Sequence, residues 1–211
     1  GLQLWQGAGT KLAILVERMA HADEVLFLWI NGWVGKLPLF DGAMEWVVSD
    51  YLVPVSLALA LIGMWFVGSD RLARQKHQIG VFVALTSMGL SSLAVFIVNA
   101  VYFRDRPFVE NDVAVLFYQP TDSSFPSNAV AAAFGISAAV WGVNRRLGTV
   151  LLVGATVHGV SRVYAGVHYP LDILAGATIG IVVAFLTFRL RNILEPILVW
   201  VIRAARTLVL A

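Results

Sequence analysis

Long apolar runs separated by short polar loops make up most of the chain. A membrane-spanning helix needs about 20 largely apolar residues, or fewer where interfacial groups cap its ends. Five runs meet this description: 51–67, 79–101, 128–143, 147–163 and 171–188. The pattern predicts an all-α, polytopic membrane helix bundle. We expect a single domain over 1–211, with a transmembrane core and its loops over 51–188.

Both ends of the chain are apolar but interrupted by charge. Residues 12–30 carry four charged side chains, among them Asp23, and each charge at the bilayer centre costs about 2.5–3.5 kcal/mol. We therefore expect 1–48 to form one or two amphipathic helices on the membrane surface, with these charges on a solvated face. A tilted sixth span is the alternative, which makes a bundle of five to six spans. Residues 192–211 are predicted to form an amphipathic tail.

The composition supports this assignment and excludes several classes of function. Of 211 residues, 59% are hydrophobic and 13% are charged, whereas about a quarter of the residues of a soluble domain are charged. The chain has no cysteine, and its histidines and acids show none of the spacings of a metal site, so we expect no metal and no cofactor. The net charge of +2 does not indicate nucleic acid, because the basic residues are distributed among short loops.

Arginine and lysine are concentrated in alternate loops. These loops contain Arg71, Arg74, Lys76, Arg145, Arg146, Arg189 and Arg191. The positive-inside rule places them in the cytoplasm. The intervening loops are then extracytoplasmic.

The segment 161–172, Ser-Arg-Val-Tyr-Ala-Gly-Val-His-Tyr-Pro-Leu-Asp, brings three reactive groups to the point where an apolar helix meets water. The guanidinium of Arg162 can fork onto phosphate oxygens, and the imidazole of His168 can act as a nucleophile. Pro170 is typical of a first helical turn, and the four-residue separation brings Asp172 within reach of the His168 ring. This pattern indicates a phosphatase site. The alternative is a histidine and an aspartate that only satisfy each other at the interface.

Two further segments on the same side of the membrane carry side chains that can bind phosphate. Arg106 precedes a proline in a polar loop and can converge with Arg162 on a phosphoryl group. At 125–128, Phe-Pro-Ser-Asn ends the loop before the third span, where Ser127 can cap the helix, bind an anion, or do both. Arg104 has no comparable position, and it is interpreted as an arginine that faces lipid headgroups.

These segments resemble the signatures of the type 2 phosphatidic acid phosphatase superfamily: Ser-Arg-x5-His-x3-Asp at 161–172, Phe-Pro-Ser-Asn at 125–128 and Arg-Pro at 106–107. The resemblance implies a covalent phosphohistidine on His168, with Asp172 orienting the ring. Contacts with the phosphate are expected from Arg106, Arg162, Ser127, Asn128 and Asn99. Asn99 stands where the superfamily usually has lysine.

Within the superfamily, the segment 99–109, the short chain, and Ile-Asn-Gly at 30–32 followed by Asp41 most resemble the bacitracin-resistance type of undecaprenyl-diphosphatase. That branch implies a polyprenyl diphosphate lipid as substrate, dephosphorylated at the outer face of the bacterial inner membrane during carrier-lipid recycling. Two alternatives stay open. One is a phosphatase of phosphatidylglycerophosphate or phosphatidate, and the other is a non-catalytic protein that binds or transports phospholipid. The sequence also leaves the prenyl length and the oligomeric state open.

Ala129 is the main departure from the superfamily pattern. The second signature normally ends in histidine, and here that position is Ala129. The resemblance implies that this histidine protonates the leaving oxygen and then activates water. Because a positioned acid–base group contributes about 10²–10⁴ in rate, we expect strongly reduced turnover. A substitution introduced to trap a ligand and a natural relative of low activity are the two explanations.

Overall fold

The computed structural model describes the backbone of residues 2–207 and the side chains of residues 11, 13–191, 199 and 200. The described residues contain no strand. The helices are α1 (Leu2–Asn31), α2 (Pro38–Val48), α3 (Leu52–Phe66), α4 (Arg71–Val101), α5 (Pro107–Glu110), α6 (Asn128–Val143), α7 (Arg145–Tyr164) and α8 (Pro170–Thr207). The predicted all-α membrane bundle is therefore confirmed.

Helix α6 is the centre of the bundle and packs against α4, α7 and α8. Small residues let the backbones approach closely. A Cβ on Gly176 of α8 would lie 2.5 Å from the carbonyl oxygen of Ser127, and one on Gly180 would lie 2.5 Å from that of Ala131. This close contact holds the start of α8 against the start of α6, where two of the three signatures lie.

Among the described residues, length and apolarity identify three helices that could cross a membrane: α4, α7 and Pro170–Arg191 of α8. Helices α2 and α3 together form a fourth candidate, bent by 52° at the break between them. Helix α6 has 16 residues and so extends about 24 Å, less than a hydrocarbon core of about 30 Å. The sequence prediction of five to six spans exceeds these three or four, because α6 is short and enclosed by its neighbours.

One prediction for the N-terminal region, the solvated position of Asp23, is wrong. Phe27 of α1 is fully buried and packs with Val163 and Tyr169. Asp23, expected on a solvated face, is only 4% exposed. One face of the second half of α1 therefore packs against the connection between α7 and α8, where Arg104 compensates the Asp23 charge, and most of the rest of this half is exposed.

Helix α8 continues without interruption to Thr207, past the predicted end of the fifth span at residue 188. The predicted tail at 192–211 is thus a continuation of a spanning helix as far as Thr207. Residues 208–211 lie outside the described residues, as do the side chains of Arg203 and Arg206.

The two ends of the bundle differ in chemistry. At one end, where α6 stops and α7 starts, the Cζ of Arg145 lies 3.4 Å from the ring centroid of Trp141, and that of Arg191 lies 4.1 Å from the ring centroid of Phe188. The three signatures lie at the opposite end, where α4 and α7 stop and α6 and α8 begin. The chain is a multi-pass membrane protein with its polar cluster at one end.

Candidate active site

The connection between α7 and α8 forms one wall of the site. Gly166 has a φ of +84°, and a Cβ there would lie 2.5 Å from the carbonyl oxygen of Ala114, so glycine is required. Asn31 of α1 donates hydrogen bonds to the carbonyl oxygens of Ala114 (2.8 Å) and Tyr164 (2.9 Å). These contacts hold the connection against the loop before α6 and leave His168 only 2% exposed.

The two ring nitrogens of His168 face different groups. Nδ1 lies 2.9 Å from the carbonyl oxygen of Ser124, and this partner assigns the proton to Nδ1. Nε2, which keeps its lone pair, lies 3.2 Å from Nη1 of Arg106 and 3.3 Å from Oγ of Ser127. Burial, helped by nearby arginine charges, lowers the pKa of His168 to about 4. The ring is therefore neutral at pH 7 and can act as a nucleophile.

Asp172 contacts His168 mainly through a third residue. Its Oδ2 lies 3.6 Å from Nδ1 of His168, which is beyond hydrogen-bond length. The carboxylate instead accepts hydrogen bonds from Oγ of Ser124 (2.5 Å), the backbone N–H of Tyr169 (2.8 Å) and Nη1 of Arg104 (2.8 Å). Ser124 links the pair, since it bonds to both. Sequence reasoning missed Ser124, because a serine in a polar loop has no periodicity or spacing of its own.

Arg106 joins the loop before α6 to the connection between α7 and α8. Its Nε and Nη2 donate to the carbonyl oxygen (3.1 Å) and Oδ1 (2.9 Å) of Asp122, and its Nη1 donates to the carbonyl oxygen of Val167 (2.8 Å). Arg106 is 4% exposed, whereas the Asp122 side chain is 68% exposed. An incoming phosphate can replace this solvated carboxylate without leaving a buried acceptor unpaired.

Arg162 has unused hydrogen-bond donors. The residue is 5% exposed, and its Nε and Nη1 have no partner among the described residues. Its Cζ lies 5.4 Å from the ring centroid of Phe117. A buried charge without an acceptor is strongly unfavourable. A bound anion would supply the missing acceptor, so the unpaired donors of Arg162 indicate an anion-binding site.

Arg104 lies in the interior, and the interpretation that it faces lipid headgroups is wrong. Its Nη1 lies 2.8 Å from Oδ1 of Asp172, and its Nη2 lies 2.8 Å from Oδ2 of Asp23. Its Cζ lies 4.0 Å from the ring centroid of Tyr169. Sequence reasoning missed these contacts because Asp23 is 81 residues away along the chain, and only the packing of α1 brings the two together.

Ser127, Asn128 and Asn99 are the remaining predicted phosphate contacts. Ser127 precedes α6 without a side-chain cap hydrogen bond in the described structure, so its hydroxyl is available to a ligand. Asn128 starts α6 and is exposed. Asn99 has a buried Oδ1 with no partner in the described part of the chain. Within the same residues, no group of three or more His, Cys, Asp or Glu side chains is arranged to hold a metal ion.

Ala129 lines an apolar cavity of about 580 Å³ between α3, α4 and α6. Most of the wall is aliphatic or aromatic and includes Leu57, Leu61, Trp65, Leu85, Met88 and Ile136. Asp50 and His158 are the ionisable residues in the described lining. His158 contacts the carbonyl oxygen of Val47 through Nδ1 at 2.9 Å. The cavity thus extends from Ala129 to the apolar faces of α3 and α4.

Comparison with known proteins identifies several relatives. A model of the PAP2 superfamily matches residues 80–195. Undecaprenyl-diphosphatase BcrC of Bacillus subtilis (strain 168) is 32% identical over 179 residues, which cover 84% of this chain and 89% of that protein. Bacitracin transport permease protein BcrC of Bacillus licheniformis is 30% identical over 163 residues, which cover 77% of each chain. The crystal structure of Aquifex aeolicus LpxE matches with a TM-score of 0.59 and 28% identity, over 78% of this chain and 93% of that one.

Proposed function

This chain belongs to the PAP2 superfamily and is a phosphatase, and on that basis we propose that it hydrolyses undecaprenyl diphosphate to undecaprenyl phosphate and inorganic phosphate. The observation that carries the proposal is the neutral His168 ring, whose Nε2 lone pair faces donors of Arg106 and Ser127. The reaction proceeds through a phosphohistidine without a metal. It takes place at the extracytoplasmic face of the bacterial inner membrane, where carrier lipid is recycled.

The first step is an in-line attack of Nε2 on the terminal phosphorus. A bond forms between Nε2 and phosphorus, and the bond to the bridging oxygen breaks, so that undecaprenyl phosphate leaves with the electron pair. Arg106, Arg162 and Ser127 donate to the equatorial oxygens and stabilise their charge. In the second step water attacks the same phosphorus and the P–N bond breaks. Inorganic phosphate leaves, His168 recovers its lone pair, and the proton of the water passes to solvent.

Ala129 favours a diphosphate over a phosphate monoester as substrate. A monoester such as phosphatidate must expel an alkoxide, which is nearly as basic as hydroxide, the conjugate base of water with its pKa of about 15.7. A diphosphate expels a phosphate group whose second pKa is about 6, so its departure depends less on a proton donor. The chain with alanine at 129 therefore retains more activity on the diphosphate, and its turnover is slow rather than absent.

The apolar cavity beside Ala129 supports a lipid as substrate. Ligand pockets are mostly apolar, with a few polar groups that fix the orientation of the ligand. The wall formed by α3 and α4 can hold the first part of a prenyl chain, and Ala129, which also lines this cavity, is two residues from Ser127. The same arrangement suits lipid binding without turnover, which is the second candidate because Ala129 replaces the acid.

Turnover of purified variants in EDTA tests the proposal. Ala129→His should release phosphate from undecaprenyl diphosphate at least about 10²-fold faster than the parent protein. The same variant should be slower on phosphatidylglycerophosphate and phosphatidate. A preference for either phospholipid would replace the substrate assignment. Absence of turnover by Ala129→His on all three lipids would favour the binding protein.

The extracytoplasmic location has its own test. The chain has no cysteine, so a single introduced cysteine reports one position. Asp112→Cys, in the loop before α6, should react with an impermeant maleimide in intact cells. Arg146→Cys, at the start of α7, should react only after permeabilisation. The reverse pattern would place hydrolysis in the cytoplasm.

A further inference from the structure

Asp23, Arg104 and Asp172 form a buried row of charges behind His168. Arg104 lies between the two carboxylates, 2.8 Å from an oxygen of each. The side chains of Asp23 and Asp172 are 1% and 0% exposed, and that of Arg104 is 20% exposed. The other oxygen of Asp23 accepts a hydrogen bond from the backbone N–H of Leu171 at 2.8 Å. Asp23 thus contacts Arg104, which holds Asp172, and Leu171, which precedes Asp172 in the chain.

This row of charges has an electrostatic consequence for His168. Arg104 alone would neutralise Asp172, because one cation balances one carboxylate. Asp23 supplies a second negative charge, so the three groups together keep a net negative charge. Electrostatic interactions are strong where water is excluded. The net negative charge therefore stabilises the positive charge that the imidazole acquires when Nε2 bonds to phosphorus.

Asp23 also holds the start of α8. The first N–H groups of a helix have no partner within the helix, and a carboxylate near them is favoured by the helix dipole. Leu171 provides such an N–H, and Asp23 accepts from it across the interface between α1 and α8. The first turn of α8, which includes Asp172, is thereby held in position beside Ser124.

We propose that Asp23 and Arg104 are positioning residues that set the orientation and the charge of the unit formed by Asp172, Ser124 and His168. The inference rests on the proposed phosphohistidine chemistry. Asp23 lies outside residues 80–195, the part of the chain that matches the superfamily. Helix α1 therefore contributes to the reaction through Asp23, although the contacts of Asp23 are with Arg104 and Leu171 and not with the reacting atoms.

A double-mutant cycle in the Ala129→His protein separates charge from structure. Asp23→Asn keeps an oxygen for Leu171 but removes the extra negative charge, and it should lower kcat about 10-fold with little change in KM. Arg104→Gln should also lower kcat, because it leaves two carboxylates without their cation. The combination restores the original net charge, so it should be faster than Asp23→Asn alone. Glu17→Gln removes an exposed carboxylate from the same helix and should match the parent.

If the losses of kcat in Asp23→Asn and Arg104→Gln simply add in the double variant, the two residues have only a structural role. This result would overturn the inference. An Ala129→His parent without turnover would instead refute the proposed function. The ring of His168 then remains a direct readout by NMR of protein with isotope-labelled histidine. The Nδ1–H resonance should shift in Asp23→Asn and stay unchanged in Glu17→Gln. Identical resonances in both variants would overturn the inference independently of activity.

Discussion

Two arginines near His168 are in opposite electrostatic environments. Arg104 bridges Asp23 and Asp172. Arg162 is 5% exposed, yet none of the ion pairs in the described part of the chain includes it, and two of its nitrogens lack hydrogen-bond partners there. A paired buried charge holds geometry, whereas an unpaired one raises the free energy of the ligand-free protein and so favours binding of an anion.

The comparison defines two sides of the site. The paired side consists of Asp23, Arg104, Ser124 and Asp172, and its contacts converge on Nδ1 of His168. The open side consists of Arg106, Arg162 and Ser127, and two of its members face Nε2. One side is complete without a ligand, and we propose that the substrate phosphate completes the other.

Replacing His168 removes the ring between the two sides and has the largest expected effect. In the Ala129→His protein, His168→Ala should abolish turnover and the acid-labile phosphoenzyme, because the nucleophile is lost. Binding of a non-hydrolysable diphosphate lipid analogue should persist, since the open side keeps its donors. Phosphoenzyme trapping and isothermal titration calorimetry measure the two effects. Joint loss of binding and turnover would show that the open side depends on the ring.

Replacing each arginine with methionine tests the comparison directly. Arg104→Met leaves two buried carboxylates without a cation and should lower the free energy of unfolding by about 3–5 kcal/mol. Arg162→Met removes an unpaired charge, so it should not lower the free energy of unfolding, but it should abolish binding of the analogue. Denaturant unfolding in detergent and calorimetry provide the measurements. Equal losses of stability at both positions would contradict the assignment of Arg162 to the open side.

Replacing Ser124 tests whether Asp172 acts on His168 through the Ser124 hydroxyl. Ser124→Ala removes a hydrogen bond to a charged group, worth about 1.5–3 kcal/mol, but leaves the backbone carbonyl that accepts from His168. In the Ala129→His protein, kcat should fall about 10-fold with KM unchanged. Ser124→Thr keeps a hydroxyl and is the matched control. An unchanged kcat in Ser124→Ala would mean that Asp172 acts on the ring without this link.

A pH dependence of His168 itself provides a separate test of its buried position. Burial lowers the pKa of His168 from its usual value of 6.5 to about 4. The unfolded chain therefore takes up the proton at higher pH than the folded one. The stability that the neutral buried ring provides is present above about 6.5 and is lost as the pH falls towards about 4. NMR with isotope-labelled histidine, assigned with His168→Gln, should show a neutral ring at pH 5. Titration near 6.5 would contradict the buried position.

Sequence reasoning grouped most of the residues around His168 but missed the pairing of Asp23 with Arg104. Arg162, His168 and Asp172 lie within 11 residues of one another, so local spacing was enough to group them, and charge was enough to add Arg106. Asp23 and Arg104 were assigned to solvated positions, because an isolated charge near a membrane is expected to face water or headgroups. Asp23 is instead buried and Arg104 is partly buried, because the two form an ion pair.

By itself, the sequence predicted the all-α fold, the membrane setting and the phosphatase activity. Hydropathy and helical spacing act over a few turns of chain, so these features can be deduced without long-range contacts. Only the tertiary structure decided which charges are paired and which remain free. Asp23 and Arg104 meet across 81 residues, and Ser124 reaches Asp172 across 48. A buried charge with such partners holds the geometry of the site, whereas one without them is free to bind a ligand. For Arg104, one of these partners is Asp23, which the packing of α1 against the α7–α8 connection brings into contact.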